Sequence, residues 1–158
     1  MAIDKPILAN QVVEGPINSA YPLPFAALME ARSRKKLGDH FGLENFGVNL
    51  ITMSSGAISA LKHQHLKQDE FIYILSGNPT LLIGDREFLM ESGQCFGFRC
   101  GDDGAPHQLV NRSGDEVVYL EIGDRSSGDH VFYPDDDLRF EASADGSRAF
   151  LHKDGSAY

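Results

Sequence analysis

Two histidines one residue apart begin the stretch LKHQHLKQDEFIYILSG, Leu61 to Gly77. In a strand, residues i and i+2 project from one face, so His63 and His65 stand side by side. Such a pair belongs either to a half-exposed strand face or to a metal site. Glu70 follows at an odd offset and would face away on an unbroken strand. A chain reversal in the polar LKQD would return it to the histidines across a hairpin. Otherwise it is an ordinary acidic residue near a turn. Two imidazoles and one carboxylate suit a single divalent transition metal, Fe, Mn, Ni or Zn. His107, in GAPHQLVN, begins another apolar run and is either a further ligand or a core or turn histidine.

The elements that must hold these groups read as β-structure. From Gly47 onward, short runs of period two alternate with Gly, Asp, Asn and Pro turn signals. Strands are expected at GVNLITM, AISALKHQH, EFIYILSG, PTLLIGD, REFLME, QCFGFR, HQLVNR, EVVYLEIGD, HVFYP and RAFLHK. Many short strands with little helix predict a sandwich or a closed barrel. Residues 1–46 read as an irregular arm broken by Pro6, Pro16, Pro22 and Pro24, with one short helix in FAALMEARSRKK. Residues 47–152 form the barrel, and the polar tail 153–158 is expected to fray.

Composition narrows the function. A net charge of -9 argues against nonspecific nucleic-acid binding, which needs basic residues. The cluster Arg32, Arg34, Lys35 and Lys36 reads as a solvated face or an inter-subunit patch rather than a polyanion site. No apolar run is long enough to cross a bilayer, and the N-terminus lacks the pattern of a secretory signal, so no membrane partner and a cytoplasmic location are expected. Cys95 and Cys100 read as reduced, buried or half-buried thiols.

The spacing of these residues resembles the cupin superfamily. Gly56, His63, His65, Glu70 and Gly77 follow its first motif, G-x(5)-H-x-H-x(3,4)-E-x(6)-G, with one extra residue after Gly56. Gly93, Gly104, His107 and Asn111 follow the second, G-x(5)-P-x-G-x(2)-H-x(3)-N. Here Asp102 stands at the proline position, and the segment before Gly104 is three residues longer. HQLVNRS and YPDDDL look like segments of small bacterial cupins. The resemblance implies an all-β, double-stranded β-helix (jelly-roll) barrel with a metal in its mouth. Its ligands would be His63, His65, Glu70 and His107. It also implies a small-molecule substrate and, as in many cupins, a homodimer.

Parity fills in the pocket. If Glu70 points in, so do Ile72 and Ile74, while Phe71, Tyr73 and Leu75 point out. With His107 inward, Leu109 and Asn111 follow, and Phe96 and Phe98 share an interior face. Lys62 and Arg112 should point away from the metal. Substrate contacts are therefore assigned to Phe96, Phe98 and Asn111, and to Arg99 as the one cation placed to meet a phosphate. Glu70 is taken as the catalytic carboxylate. The resemblance to cupin sugar-phosphate isomerases in HQH and EFIY favours a metal-dependent isomerase of a sugar or sugar phosphate. An iron dioxygenase and a non-enzymatic binding module are the alternatives, because one fold hosts many functions.

Overall fold

The computed structural model describes residues 5–15, 19–143 and 146–158; Pro16, one of the arm-breaking prolines, lies outside them. Strands are numbered along the chain. One wall is a five-stranded antiparallel sheet in the order β1 (Arg32–Lys36), β2 (Phe46–Met53), β9 (Val117–Asp124), β4 (Glu70–Ser76) and β7 (Cys95–Phe98). A second sheet orders β12 (Arg148–Leu151), β11 (Arg139–Ala142), β10 (His130–Phe132) and β3 (Gln64–His65). A third orders β6 (Arg86–Leu89), β5 (Thr80–Ile83) and β8 (His107–Val110). Backbone bridges Ile58–Val110 and His63–His107 join the segment before β3 to β8. The result is the all-β jelly-roll barrel that the motifs imply.

Alternation decides what each strand buries. Ile72 and Ile74 of β4 are buried, whereas Phe71, Tyr73 and Leu75 are exposed. Ile51, Met53, Ile74, Leu81, Leu109, Val117 and Tyr119 fill the space between the five- and three-stranded sheets. A second cluster of Met29, Leu61, Val131, Tyr133 and Leu138, with Tyr21, Phe25, Phe140 and Phe150 against it, lies under the four-stranded sheet. Each cluster removes several large side chains from water, at about 1.5–3 kcal/mol per side chain.

Two glycines are fixed by geometry. Gly77 ends β4 with φ +81°, and a Cβ there would lie 2.6 Å from the Glu116 carbonyl oxygen. At Gly104 a Cβ would meet the Arg99 carbonyl at 2.5 Å, so only glycine lets the loop fold back ahead of His107.

The N-terminal region departs from the expectation. The segment FAALM is a 3₁₀ turn, Phe25–Met29, and the RSRKK that follows is not helical. It is β1, paired antiparallel with β2 over its full length, from Arg32–Met53 to Lys36–Asn49. The 1–46 segment is therefore not wholly irregular, because Arg32–Lys36 is an edge strand of the main sheet and Leu37–His40 a short α-helical turn after it. β11, RFEA, was also not expected. The run AISALKHQH is a strand only at Gln64–His65, with isolated bridges before it. The tail is docked rather than frayed. Tyr158 stacks on His152 at 3.8 Å and donates to the Asp137 carbonyl at 2.5 Å, and Ala157 bridges Leu151. Cys95 is exposed on the edge strand β7, whereas Cys100 is half-buried, and both are free thiols.

Candidate metal centre

His63 and His107 are brought together by backbone pairing. The His63 N–H donates to the His107 carbonyl at 3.1 Å, and the His107 N–H donates back at 2.8 Å. Their rings lie 4.7 Å apart, and the His65 ring is 5.1 Å from His63. Glu70 comes from the other wall. β4 pairs with β7 and β9, not with β3, so Glu70 reaches the histidines across the barrel and not across a hairpin. Its Oε2 lies 2.9 Å from His107 Nε2, 3.4 Å from His63 Nε2 and 3.5 Å from His65 Nε2. One donor atom from each of His63, Glu70 and His107 falls within 4.8 Å of the others, and His65 adjoins them.

The outer partners turn the imidazoles toward this point. His63 Nδ1 lies 2.8 Å from the Leu61 carbonyl, and His65 Nδ1 lies 2.6 Å from Asp129 Oδ2. A carbonyl or carboxylate only accepts, so Nδ1 carries the hydrogen and Nε2 is turned inward, where it donates to Glu70 when the ring is protonated and offers a lone pair to a metal when it is neutral. Burial opposes charge on His65, but the Asp129 hydrogen bond and the Glu70 and Asp129 charges outweigh it and raise the pKa. Burial keeps His107 below the ordinary histidine value despite Glu70. Glu70 is held well below the usual carboxylate range. Burial works the other way, but the hydrogen bonds of His107 and His63 and the histidine charges prevail. An ionised carboxylate beside three imidazoles, two of them oriented by outer partners, fits a divalent transition metal.

The centre opens into a cavity of about 510 Å³ whose lining includes His63, His65, Glu70, Tyr21, Tyr133 and Glu121. Arg32 and Arg34 of β1 and Arg148 of β12 line it too. Arg32 pairs with Met53 and Arg34 with Ile51, both fully buried, which puts the two guanidinium groups on the inner face. Glu121 of β9 accepts from Asn49 Nδ2 at 2.9 Å and pairs with Arg34 at 3.2 Å. Tyr133 stacks on His63 with centroids 6.0 Å apart, and burial raises the pKa of its hydroxyl, as it does for Tyr21.

The other sequence-assigned contacts do not line this cavity, although Phe98 and Arg99 border a narrow crevice beside His65, Glu70 and His107. The Arg99 side chain is 78% exposed and faces Asp103 at 3.6 Å. Phe98 points inward, so the next residue along the strand points out. Phe96 lies opposite the buried Ile72, but β7 is a sheet edge and the ring is 39% exposed, outside the cavity lining. Phe98 is buried and stacks on His107 at 3.6 Å. Asn111 is fully buried, and its amide donates to the carbonyls of Met53, Ser54 and Asp115, which makes it a strut between strands. Lys62 and Arg112 do point away, to the Gly84 carbonyl and to Glu87. The residues missed were Arg32, Arg34 and Glu121. The signal was present: R-x-R on a strand shares a face for the same reason as H-x-H.

The fold and the motif spacing are those of a cupin with a His/Glu cluster that could hold a metal ion, and the chain belongs to the cupin superfamily. The cupin domain family matches residues 49–123. A cupin-superfamily sugar phosphate isomerase from Silicibacter pomeroyi is similar over 98% of this chain and 96% of its own, with 36% identity and a TM-score of 0.89. A protein provisionally named a sugar phosphate isomerase, from Acidithiobacillus ferrooxidans, is 31% identical over 80% of each chain, with a TM-score of 0.72. A polyketide cyclase from Streptomyces resistomycificus shares the fold at 19% identity over 77% of this chain and 80% of its own, with a TM-score of 0.61. No curated protein matches the sequence.

Proposed function

We propose that this cupin is a metal-dependent isomerase that interconverts an aldose and a ketose, free or phosphorylated. The observation that carries the reading is a carboxylate outside the ligand cluster, Glu121, held beside the site by Asn49 and Arg34 in the cavity shared with His63, His65 and Glu70. The names of the Silicibacter and Acidithiobacillus relatives support it. His63, His65, Glu70 and His107 would hold one divalent ion, which supplies Lewis-acid polarisation of a carbonyl and its neighbouring hydroxyl.

The chain's own residues do the proton work. Isomerisation moves one proton between adjacent carbons while the carbonyl and hydroxyl exchange places, with no external oxidant. Glu121 takes the proton from the carbon beside the carbonyl and returns it to the neighbouring carbon. Glu70, assigned this role from sequence, is engaged by three imidazoles and is better suited as a ligand. Arg34 and Asn49 fix the Glu121 carboxylate, and the hydroxyls of Tyr21 and Tyr133 offer partners to sugar hydroxyls. The test is aldose–ketose interconversion by protein loaded in turn with Fe, Mn, Ni and Zn. Turnover lost in Glu121→Gln with the metal retained supports the assignment. Oxygen consumption without interconversion replaces it with an oxygenase.

A further inference from the structure

Of the five buried polar side-chain atoms without a partner among the described residues, which include His107 Nδ1 and Arg139 Nε, three lie along β1 and β9: Arg32 Nη1, Arg34 Nε and the Tyr119 hydroxyl. They occupy one region. Arg32 and Arg34 are two residues apart on β1, and the register Arg34–Ile51–Tyr119 runs across β1, β2 and β9 on the inner face. A buried N–H without an acceptor is unfavourable, and native interiors seldom leave several together. Tyr119 is fully buried, which raises its pKa and keeps its hydroxyl a donor. Arg32 makes no ion pair among the described residues. Burial and the neighbouring Arg34 lower its pKa, against the opposing charge of Glu121. Arg148 of β12, an exposed residue, lines the same cavity. Outside the ligand cluster, the cavity lining therefore carries three arginines against one carboxylate, Glu121, and that carboxylate is already engaged by Arg34.

We infer that Arg32 and Arg34 form an oxyanion subsite that holds the phosphate monoester of the substrate, with Arg148 lining the same cavity. The inference rests on the isomerase reading for the identity of the molecule, but the subsite stands on its own geometry. Guanidinium forks match phosphate oxygens, and a dianion balances the surplus of positive charge. The phosphate at β1 would then sit in the cavity that the metal ligands and Glu121 also line. The sequence assigned this role to Arg99, whose exposed guanidinium instead faces Asp103.

The experiment is titration of inorganic phosphate into the protein as purified, by calorimetry, with metal content measured for each variant. Arg32→Gln removes no ion pair of the described fold, and its far-ultraviolet dichroism serves as the fold control. Phosphate affinity should fall at least tenfold in Arg32→Gln and further in Arg32→Gln/Arg34→Gln, while Arg99→Ala leaves it unchanged. In turnover, Arg32→Gln should raise KM for a phosphorylated sugar at least tenfold and leave KM for its unphosphorylated counterpart within twofold. Equal phosphate affinity in wild type and the double variant at equal metal content would overturn the subsite. So would acetate binding more tightly than phosphate, which would assign the pair to a carboxylate. Wild type that interconverts unphosphorylated sugars without binding phosphate keeps the isomerase and removes the subsite. Arginine-dependent phosphate binding without interconversion of any sugar does the reverse.

Discussion

Asp129 Oδ2 lies 2.6 Å from Nδ1 of His65 and fixes which nitrogen of that ring faces the barrel interior. Asp129 is itself buried, and its other oxygen accepts the Lys67 backbone N–H at 2.8 Å. Burial alone would raise its pKa, but the His65 bond and the backbone donors of Lys67 and Gln68 outweigh this and hold it ionised. Removing the charge while keeping the shape, as in Asp129→Asn, should weaken metal binding about 10–100-fold, the usual effect of losing such an outer partner. A competitive chelator titration reads it, and unchanged affinity would mean that the contact does not orient the ligand.

Removal of both inner-strand imidazoles should empty the site without unfolding the barrel. The main core lies between the five- and three-stranded sheets and is apolar. His63→Ala/His65→Ala should therefore lose an ion bound at about one per chain, as a single ligand set requires, and keep a cooperative thermal transition. Elemental analysis and calorimetry report the two results separately. Full occupancy in the double variant would exclude these ligands.

Gly77→Ala should destabilise the fold far more than an average surface change. The residue sits at φ +81°, and the added methyl would press on the Glu116 carbonyl at 2.6 Å and on Val117 at 2.8 Å. A loss of about 2–4 kcal/mol is expected from strain and overlap together. Urea denaturation measures it, and a change under about 0.5 kcal/mol, ordinary for a surface site, would show that the turn rearranges freely.

Exposed aromatic and aliphatic side chains stand on two of the sheets. Phe71, Tyr73 and Leu75 stand on the outside of β4, and Phe88 and Leu89 are exposed on β6. A homodimer that covers such surface is the expected assembly. Light scattering across a wide concentration range decides it, with a constant monomer mass as the contrary result.

Legibility followed periodicity. His63, His65 and Glu70 could be grouped because the fixed spacing of the motif survives in one dimension, and Ile72 and Ile74 fell inward by strand parity. The path by which Glu70 reaches the histidines was not readable. A hairpin and a cross-barrel approach leave the same local sequence, and only the pairing of β4 with β7 and β9 separates them. β1 was hidden because prolines precede it and charge fills it. Four basic residues look like a solvated face until pairing with β2 turns Arg32 and Arg34 inward and leaves Lys35 outside, donating to the carbonyls of Asn10 and Val12. The tail was misjudged for a related reason. Its polar residues bond to one another and to Asp137, and Tyr158 supplies the apolar contact.

The most direct test of the proposed isomerase is proton exchange at carbon. Metal-loaded protein is incubated in deuterium oxide with a panel of aldoses and their phosphates and followed by proton NMR. The account predicts ketose formation together with deuterium at the carbon next to the carbonyl, both falling by about 10²–10⁴ in Glu121→Gln at unchanged metal content. Neither ketose nor exchange with any member of the panel, from protein with a full metal site, would contradict it.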